Sequence, residues 1–272
     1  MKRPELEVVV RCRNEMPYAA KTIEALQRQG ARCEILFLDC GSTDGSKEAA
    51  QRAGLRCVDI DPKRYIPGQV LNLGMALTRS EVVAFVNADA IPLEESALEA
   101  LLDSLDGPKV AATFGRQVVR TEADKPTKLD YQRAFGDTSP TLRQGRFFSM
   151  AASAIRREVW AQLPFDESLR YSEDVDWTHR LSALGWETRY APNARFEHSH
   201  SYNAKESFKR RRGEGEADAK IYRLGRPSVT RELLRPLAGA LLRDAVAGCF
   251  APLTRLAQAS GYWAGRKQAV SL

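Results

Sequence analysis

In the stretch Ile35-Leu36-Phe37-Leu38-Asp39-Cys40-Gly41-Ser42-Thr43-Asp44-Gly45-Ser46, an apolar run meets a carboxylate and a turn, and a helical segment follows from Ser46 to Ala53. A strand that opens through an acid into a turn and then a helix is the repeating unit of an open α/β sheet. In such sheets ligands bind at the carboxyl ends of the strands. Asp39 and Ser42 stand at that point. They either meet a bound nucleotide or shape the turn and cap the next helix, which Asp and Ser do routinely.

A second carboxyl motif is placed the same way. Glu81-Val82-Val83-Ala84-Phe85-Val86 reads as a buried strand ending in Asn87-Ala88-Asp89, with Pro92 soon after. Residues two apart on a strand face one side, so Asn87 and Asp89 can both face a ligand. An oxygen pair of this kind suits a hard divalent cation that also bridges diphosphate oxygens; an ordinary polar strand end is the competing reading.

The first half alternates throughout. Strands are predicted at Leu6–Val10, Ile35–Leu38, Leu55–Ile60, Val82–Val86 and Val110–Phe114. Helices are predicted from Pro17 to Gly30 with Ile23 and Leu26 inward, at Ser46–Ala53, at Val70–Thr78 and at Leu93–Leu105. That alternation implies an α/β fold with a mostly parallel central sheet. From Thr121 to Arg146, Pro126, Gly136, Pro140 and Gly145 break up any long element, which predicts a surface excursion or a substrate-gating loop. A strand of small residues is expected at Phe147–Ile155, and another at Glu187–Tyr190 before a turn at Pro192.

Length and charge narrow the function classes. A chain of 272 residues with 43% hydrophobic content can bury one large α/β domain plus an appendage. No stretch approaches about 20 apolar residues. Met1-Lys2-Arg3-Pro4-Glu5 passes straight into a strand, so neither a spanning helix nor a signal peptide is expected, and a cytoplasmic protein is. Cys12, Cys33, Cys40, Cys57 and Cys249 form no close pair, which argues for reduced structural thiols over a zinc cluster or a disulfide framework. The pI near 9.1 suggests nucleic acid, but no recognisable nucleic-acid motif or aromatic-interleaved basic patch accompanies it, so no nucleic-acid partner is expected.

Further on, Glu173, Asp174 and Asp176 open a helical run that ends at Gly185. One acid at a helix start is simple capping, whereas three within four positions exceed it. His198 and His200 can face the same side of an extended segment, and imidazole nitrogen is a common metal ligand. His179, inside the predicted helix, reads as a packed or solvated side chain.

These motifs in this order resemble the inverting family 2 glycosyltransferases, which have the GT-A nucleotide-sugar-binding fold. The resemblance runs from Val8-Val9-Val10-Arg11-Cys12-Arg13-Asn14-Glu15 through Asp39–Asp44 and Asn87-Ala88-Asp89. It continues through Ser172-Glu173-Asp174-Val175-Asp176-Trp177 to His198-Ser199-His200-Ser201-Tyr202. Within the family the chain is most similar to bacterial rhamnosyltransferase-type enzymes. The resemblance implies that Arg11, Arg13, Asn14, Glu15, Asp39, Ser42, Asn72 and Asn87 bind the donor, with Asp39 at the base or ribose. It implies that Asp89, joined by His198 in preference to His200, holds Mg or Mn against the diphosphate. It makes Asp174, paired with Glu173, the group that takes the acceptor proton, its surroundings keeping it ionised. Two departures stand out. Asn87 replaces an Asp that many relatives carry, and Leu71, where relatives often have Arg, precedes Asn72-Leu73-Gly74; Arg11, Arg13, Lys63 or Arg64 is the expected substitute.

Residues 1–202 are therefore expected to form the catalytic domain, and 203–272 a basic, amphipathic helical appendage. Lys205, Lys209, Arg210, Arg211, Arg212, Lys220, Arg223 and Arg226 crowd its first half, interleaved with Glu206, Glu214, Glu216 and Asp218. Leu233, Leu234, Leu237, Leu241, Leu242, Val246 and Phe250 follow at near-helical spacing beside Arg231, Arg235 and Arg243. Packing on the domain is ranked first, an anionic membrane surface second, and a dimer contact stays open with the oligomeric state. The expected activity moves a sugar with inversion from a UDP- or dTDP-linked donor to a glycan or lipid-linked acceptor hydroxyl. It would serve cell-surface polysaccharide or glycolipid synthesis, in the cytoplasm or peripherally at the inner face of the cell membrane. Two alternatives stay open: a catalytically degenerate nucleotide-sugar-binding protein, suggested by Asn87, and a nucleotidyltransferase, although Arg11–Glu15 is not a glycine-rich phosphate loop.

Overall fold

The strand Leu6–Cys12 (β1) is buried along nearly its whole length, as expected of a parallel strand covered on both faces. The computed structural model describes residues 6–136 and 147–270; Met1–Glu5 and the later part of the expected Thr121–Arg146 excursion, with Pro140 and Gly145, lie outside the described residues. After β1 come α1 (Tyr18–Gln27), β2 (Cys33–Asp39), α2 (Ser46–Arg52), β3 (Arg56–Asp59), α3 (Pro67–Leu77), β4 (Val82–Asn87) and β5 (Ile91–Pro92). There follow α4 (Ala97–Asp103), β6 (Val110–Val118), α5 (Lys125–Phe135), β7 (Ala152–Arg156), α6 (Arg157–Gln162), α7 (Glu173–Ala183) and β8 (Glu187–Glu197).

The chain divides into two units. The first comprises residues 1–120, 133–168 and 173–199; the second comprises 121–132, 169–172 and 200–272. All strands of the first unit join one sheet in the order β3-β2-β1-β4-β7-β6-β8-β5. Neighbours β1/β2, β1/β4, β2/β3 and β6/β8 are parallel, whereas β4/β7, β6/β7 and β5/β8 are antiparallel. The register sets Cys12 against Asp39 and Arg11 against Asn87, so the ends of β1, β2 and β4 lie side by side. Val9 and Phe85 reach α3 so closely that a Cβ at Gly74 would fall 2.9 Å from the Val9 Cγ1. Ile23 and Leu26 face the core from α1 as the periodicity predicts.

Four expectations change. The stretch expected to be a loop carries α5, because Pro126 sits in the helix's first turn, where its missing N–H costs nothing, and the Asp124 carboxylate accepts from Thr127 N at 2.8 Å. The helix expected from Leu93 starts at Ala97, since Ile91 and Pro92 pair with Glu197 and Phe196 and Leu93 N donates to the Arg195 carbonyl. The strand expected from Phe147 begins only at Ala152. Phe147 and Phe148 instead pack edge-on against Phe114, with ring centroids 5.6 and 5.5 Å away. Lastly, β8 continues through Pro192. The register jumps from Gly115↔Ala191 to Arg116↔Arg195, and the residues between are carried in a bulge, where a proline is tolerated.

The second unit is helical, with α8 (Ala204–Ile221), a single π turn (Thr230–Leu234), α9 (Arg235–Val246) and α10 (Pro252–Ala269). Asn203 and Glu206 form a capping box at the start of α8. Along α8 half of the basic run is answered: Arg210 and Arg211 pair with Glu214, and Lys220 with Glu216. Gly215, Gly261 and Gly265 let α8 and α10 meet backbone to backbone; a Cβ at Gly265 would fall inside the Arg212 carbonyl.

Candidate active site

The turn after β2 is sewn to the turn after β1. Asp39 Oδ2 accepts from the backbone N–H groups of Gly41 and Ser42, both at 3.0 Å. Asn14 N donates to Ser42 Oγ at 3.0 Å, Asn14 Oδ1 accepts from Thr43 N at 2.7 Å, and Glu15 N donates to Ser46 Oγ at 3.1 Å. Asn14 holds φ 58°, a left-handed conformation Asn adopts more readily than most residues. Ser42 and Asn14 thus build the loop. Asp39 is buried, and its Oδ1 has no hydrogen-bond partner among the described residues, although a carboxylate oxygen shut away from water normally finds one. Arg13 is exposed.

Arg11 joins three elements. Its Nη2 donates to Asn87 Oδ1 at 3.1 Å, and its Nη1 lies 3.6 Å from Glu173 Oε1. The start of α7 is therefore tied to the ends of β1 and β4. Trp177 anchors the helix from below, fully buried, stacked on Phe165 at 4.9 Å and donating to the Leu163 carbonyl. Asp174 Oδ1 accepts from Val175 N at 2.9 Å. Burial, then the neighbouring Glu173 carboxylate, pushes the Asp174 carboxyl up to about 7, against the opposing pull of that N–H and of Arg11. The expectation that its surroundings keep it ionised is corrected: near neutrality it is poised between its two forms. Asp176 is instead committed to Arg180 at 2.7 Å, and His179 is exposed.

Asp89 and His198 meet: Asp89 Oδ1 and His198 Nε2 are 3.4 Å apart, and both residues are buried. The other ring nitrogen lies 2.7 Å from Gln117 Oε1, and Gln117 Nε2 donates to Ser149 Oγ at 2.7 Å. With the amide so oriented, Nδ1 donates to Gln117 Oε1, and Nε2 is the ring nitrogen presented to Asp89. A carboxylate oxygen beside an imidazole nitrogen, on a ring oriented by an amide, has the donor chemistry of a divalent-cation site.

Arg120 was missed by sequence reasoning. Its buried guanidinium donates to the Asp89 and Ser199 carbonyls, approaches Asp89 Oδ2 at 3.4 Å and lies 3.7 Å from the centre of the Tyr18 ring. It clamps Asp89 to the segment holding His198. Its sole signal is a cation closing the apolar end of β6. Glu15 belongs here too: burial and then Asp89 raise its carboxyl to about 7, opposed by Arg120. Asn72 is placed elsewhere. Its Nδ2 donates to the Phe165 carbonyl and Glu167 Oε1, while its Oδ1 accepts from Trp160 Nε1 and Phe165 N. That saturates the amide, so Asn72 fastens α3 to the segment after α6.

An open sheet with carboxylates gathered at its strand ends is the GT-A arrangement. Residues 7–163 match the family described as Glycosyl transferase family 2, and the chain belongs to that family. It is 28% identical to the O-antigen chain rhamnosyltransferase of Salmonella anatum over 190 residues, 65% of this chain and 60% of that one. It is 29% identical over 212 residues to the pre-mycofactocin glycosyltransferase of Mycobacterium tuberculosis, covering 72% of this chain and 43% of that one. The chain thus spans about 60% of the first relative's length. The fold also matches a mannosyltransferase from Pyrobaculum calidifontis in complex with GDP-mannose and Mn2+, at TM-score 0.70, 18% identity, and coverage of 99% and 88% of the two chains. Glucosyl-3-phosphoglycerate synthase from Mycobacterium tuberculosis, in complex with Mn2+, UDP and phosphoglyceric acid, matches at TM-score 0.60 and 20% identity, over 80% and 78% of the two chains.

Proposed function

We propose that the protein transfers a sugar, with inversion, from a nucleoside-diphosphate donor to the hydroxyl of a glycan or lipid-linked acceptor. The observation that carries this reading is the convergence of Asp39, Arg11–Asn87, Asp89–His198 and Glu173–Asp174 at adjoining strand ends. The base or ribose meets Asp39, whose buried Oδ1 has the capacity to accept a hydrogen bond. Arg11, Arg13, Asn14, Glu15, Ser42 and Asn87 line the donor side. Asp89 and His198 would hold a divalent cation, which would supply positive charge opposite the departing diphosphate. Asp174 in its ionised form takes the acceptor O–H proton; the acceptor oxygen bonds to the anomeric carbon as the bond from that carbon to the diphosphate oxygen breaks, and the nucleoside diphosphate leaves. A base whose pKa lies near the working pH suits that task. A UDP- or dTDP-linked sugar and a place at the inner face of the membrane complete the reading; the role in surface-polysaccharide or glycolipid synthesis is supported by the relatives named as O-antigen chain rhamnosyltransferases. No helix among the described residues is long and apolar enough to cross a membrane.

A ligand that binds only the folded state raises its melting temperature. Uridine or thymidine diphosphate should therefore stabilise the protein, more so with Mg2+ or Mn2+, and Asp89→Asn should remove the metal increment while leaving the metal-free shift. A shift indifferent to metal, or equal for every nucleotide, would overturn the assignment.

A further inference from the structure

The second unit displays apolar side chains where a folded chain normally hides them. Leu242 and Val246, one turn apart on α9, are 67% and 84% exposed; Phe250 in the following turn is 91% exposed, and Leu253 in the first turn of α10 is 73% exposed. They follow one another around a single corner, and isolated exposed apolar residues are ordinary whereas a contiguous set marks an interaction surface.

The corner is built, not frayed. Arg255 grips Asp244 with two hydrogen bonds, at 2.8 and 2.9 Å, and also holds Asp130. Cys249 N donates to the Asp244 carbonyl at 2.7 Å, and Lys125 Nζ donates to the Gly248 carbonyl at 2.6 Å. In the same tail Leu233, Leu237 and Leu241 are partly buried, whereas the four at the corner are exposed.

Charge selects the occupant. Residues 203–272 hold 14 Lys and Arg against six Asp and Glu, a net of +8 beside +6 for the whole chain. From residue 233 onward the only side-chain carboxylate is Asp244, buried under Arg255, whereas Arg235 and Arg243 are exposed on α9 with Leu242 and Val246. The exposed acid held at this corner, Asp130, is already paired with Arg255 at 2.6 Å, so an apolar tip flanked by arginines fits a layer whose head groups are anionic and whose interior is hydrocarbon. We infer that the α9–α10 corner inserts into an anionic lipid surface, with Leu242, Val246, Phe250 and Leu253 entering the acyl boundary and Arg235 and Arg243 at the phosphates. This deepens the peripheral-membrane part of the proposed function and rests on it.

The test is sedimentation of the full chain with phosphatidylcholine vesicles carrying or lacking phosphatidylglycerol, at low and high salt. Wild type should pellet with the anionic vesicles, and Val246→Ser/Phe250→Ser should partition at least tenfold less. Arg235→Gln/Arg243→Gln should also bind less and lose salt sensitivity. Both doubles should keep the wild-type melting-temperature response to uridine diphosphate with Mn2+, so failure at the corner is distinguished from failure at the nucleotide site. Wild type left in the supernatant, equal pelleting with neutral vesicles, or unchanged pelleting of the serine double would overturn the inference. So would a solution dimer that the serine double dissociates with no change in vesicle binding, which would assign the corner to a second copy of the chain.

Discussion

In the sheet unit the interior is filled by large side chains: Trp177, Phe37, Phe85, Phe196, Leu38, Leu71 and Ile155 are all essentially inaccessible. In the helical unit no comparably large side chain is so deeply buried among the described residues. Its buried positions include glycines and alanines of α8 and α10, Ala123, Leu169, Ser207 and Cys249, together with Asp244, Arg255 and Arg266. Charge is handled differently as well. Asp244 is met by a two-pronged arginine, and Arg266 by Glu232 at 2.8 Å, whereas Asp174 and Glu15 of the sheet unit lie half-buried with their carboxyls pushed up to about 7. Apolar volume stabilises the first unit enough to leave carboxylates under-compensated at its strand ends; the second unit, short of such volume, uses its buried charges as ties.

The strongest attack on that contrast is Arg255→Met. It removes both bonds to Asp244 and leaves a carboxylate buried at 3% exposure. Breaking a buried pair from one side costs about 3–5 kcal/mol. Chemical denaturation should show that loss, and Arg255→Met/Asp244→Leu should recover much of it. A single variant as stable as wild type would show that the helical unit is not held by its ion pairs.

The same division governs what could be read in advance. The strands β1, β2 and β4 were legible because each is built round a short apolar run, and β2 ends in Asp39 while β4 runs out through Asn87 to Asp89, which exposed both acids. The start of α7 was legible as three acids in four positions. Elements defined by single residues were not. Pro126 begins a helix by position alone, and Pro192 is accommodated by a bulge whose other strand lies some 75 residues back, at Gly115/Arg116. Arg120, Gln117 and the Arg255–Asp244 tie belong to no motif, since their partners are brought in by the fold from 31 to 81 residues away in the first two cases. Burial is likewise invisible in a string of letters, which is why Asp174 was expected ionised.

Asp174→Asn tests the under-compensated half. Removing the proton acceptor should lower transfer by roughly 100-fold or more, the usual contribution of a general base; that is about 2.7 kcal/mol in the barrier. Stability should move the other way. The folded carboxyl titrates near 7 and the unfolded one near 3.8, so between those values the folded state binds the extra proton and wild-type stability falls as pH rises. The variant lacks this loss. With chelator present it should match wild type at pH 4 and exceed it at pH 8 by on the order of 2 kcal/mol. Wild-type transfer rates would move the base to Glu173, and a stability gap independent of pH would remove the buried-carboxylate account.

The smallest effect expected is the most local. At Gly265 on α10 there is no room for a Cβ beside the Arg212 carbonyl, and Gly215 and Gly261 are closed in the same way by Tyr262 and Phe208. Gly265→Ala must part α8 from α10, and overpacking of this size costs about 1–3 kcal/mol. Alanine is also the better helix former by about 1 kcal/mol, which offsets part of it. Gly239 within α9, where a Cβ would meet only the Arg243 guanidinium at 3.3 Å, supplies a helical control. If Gly265→Ala is measurably less stable than Gly239→Ala, close backbone approach is what joins these helices. If the two are equal, helix propensity governs there and the buried ion pairs alone distinguish the helical unit from the sheet.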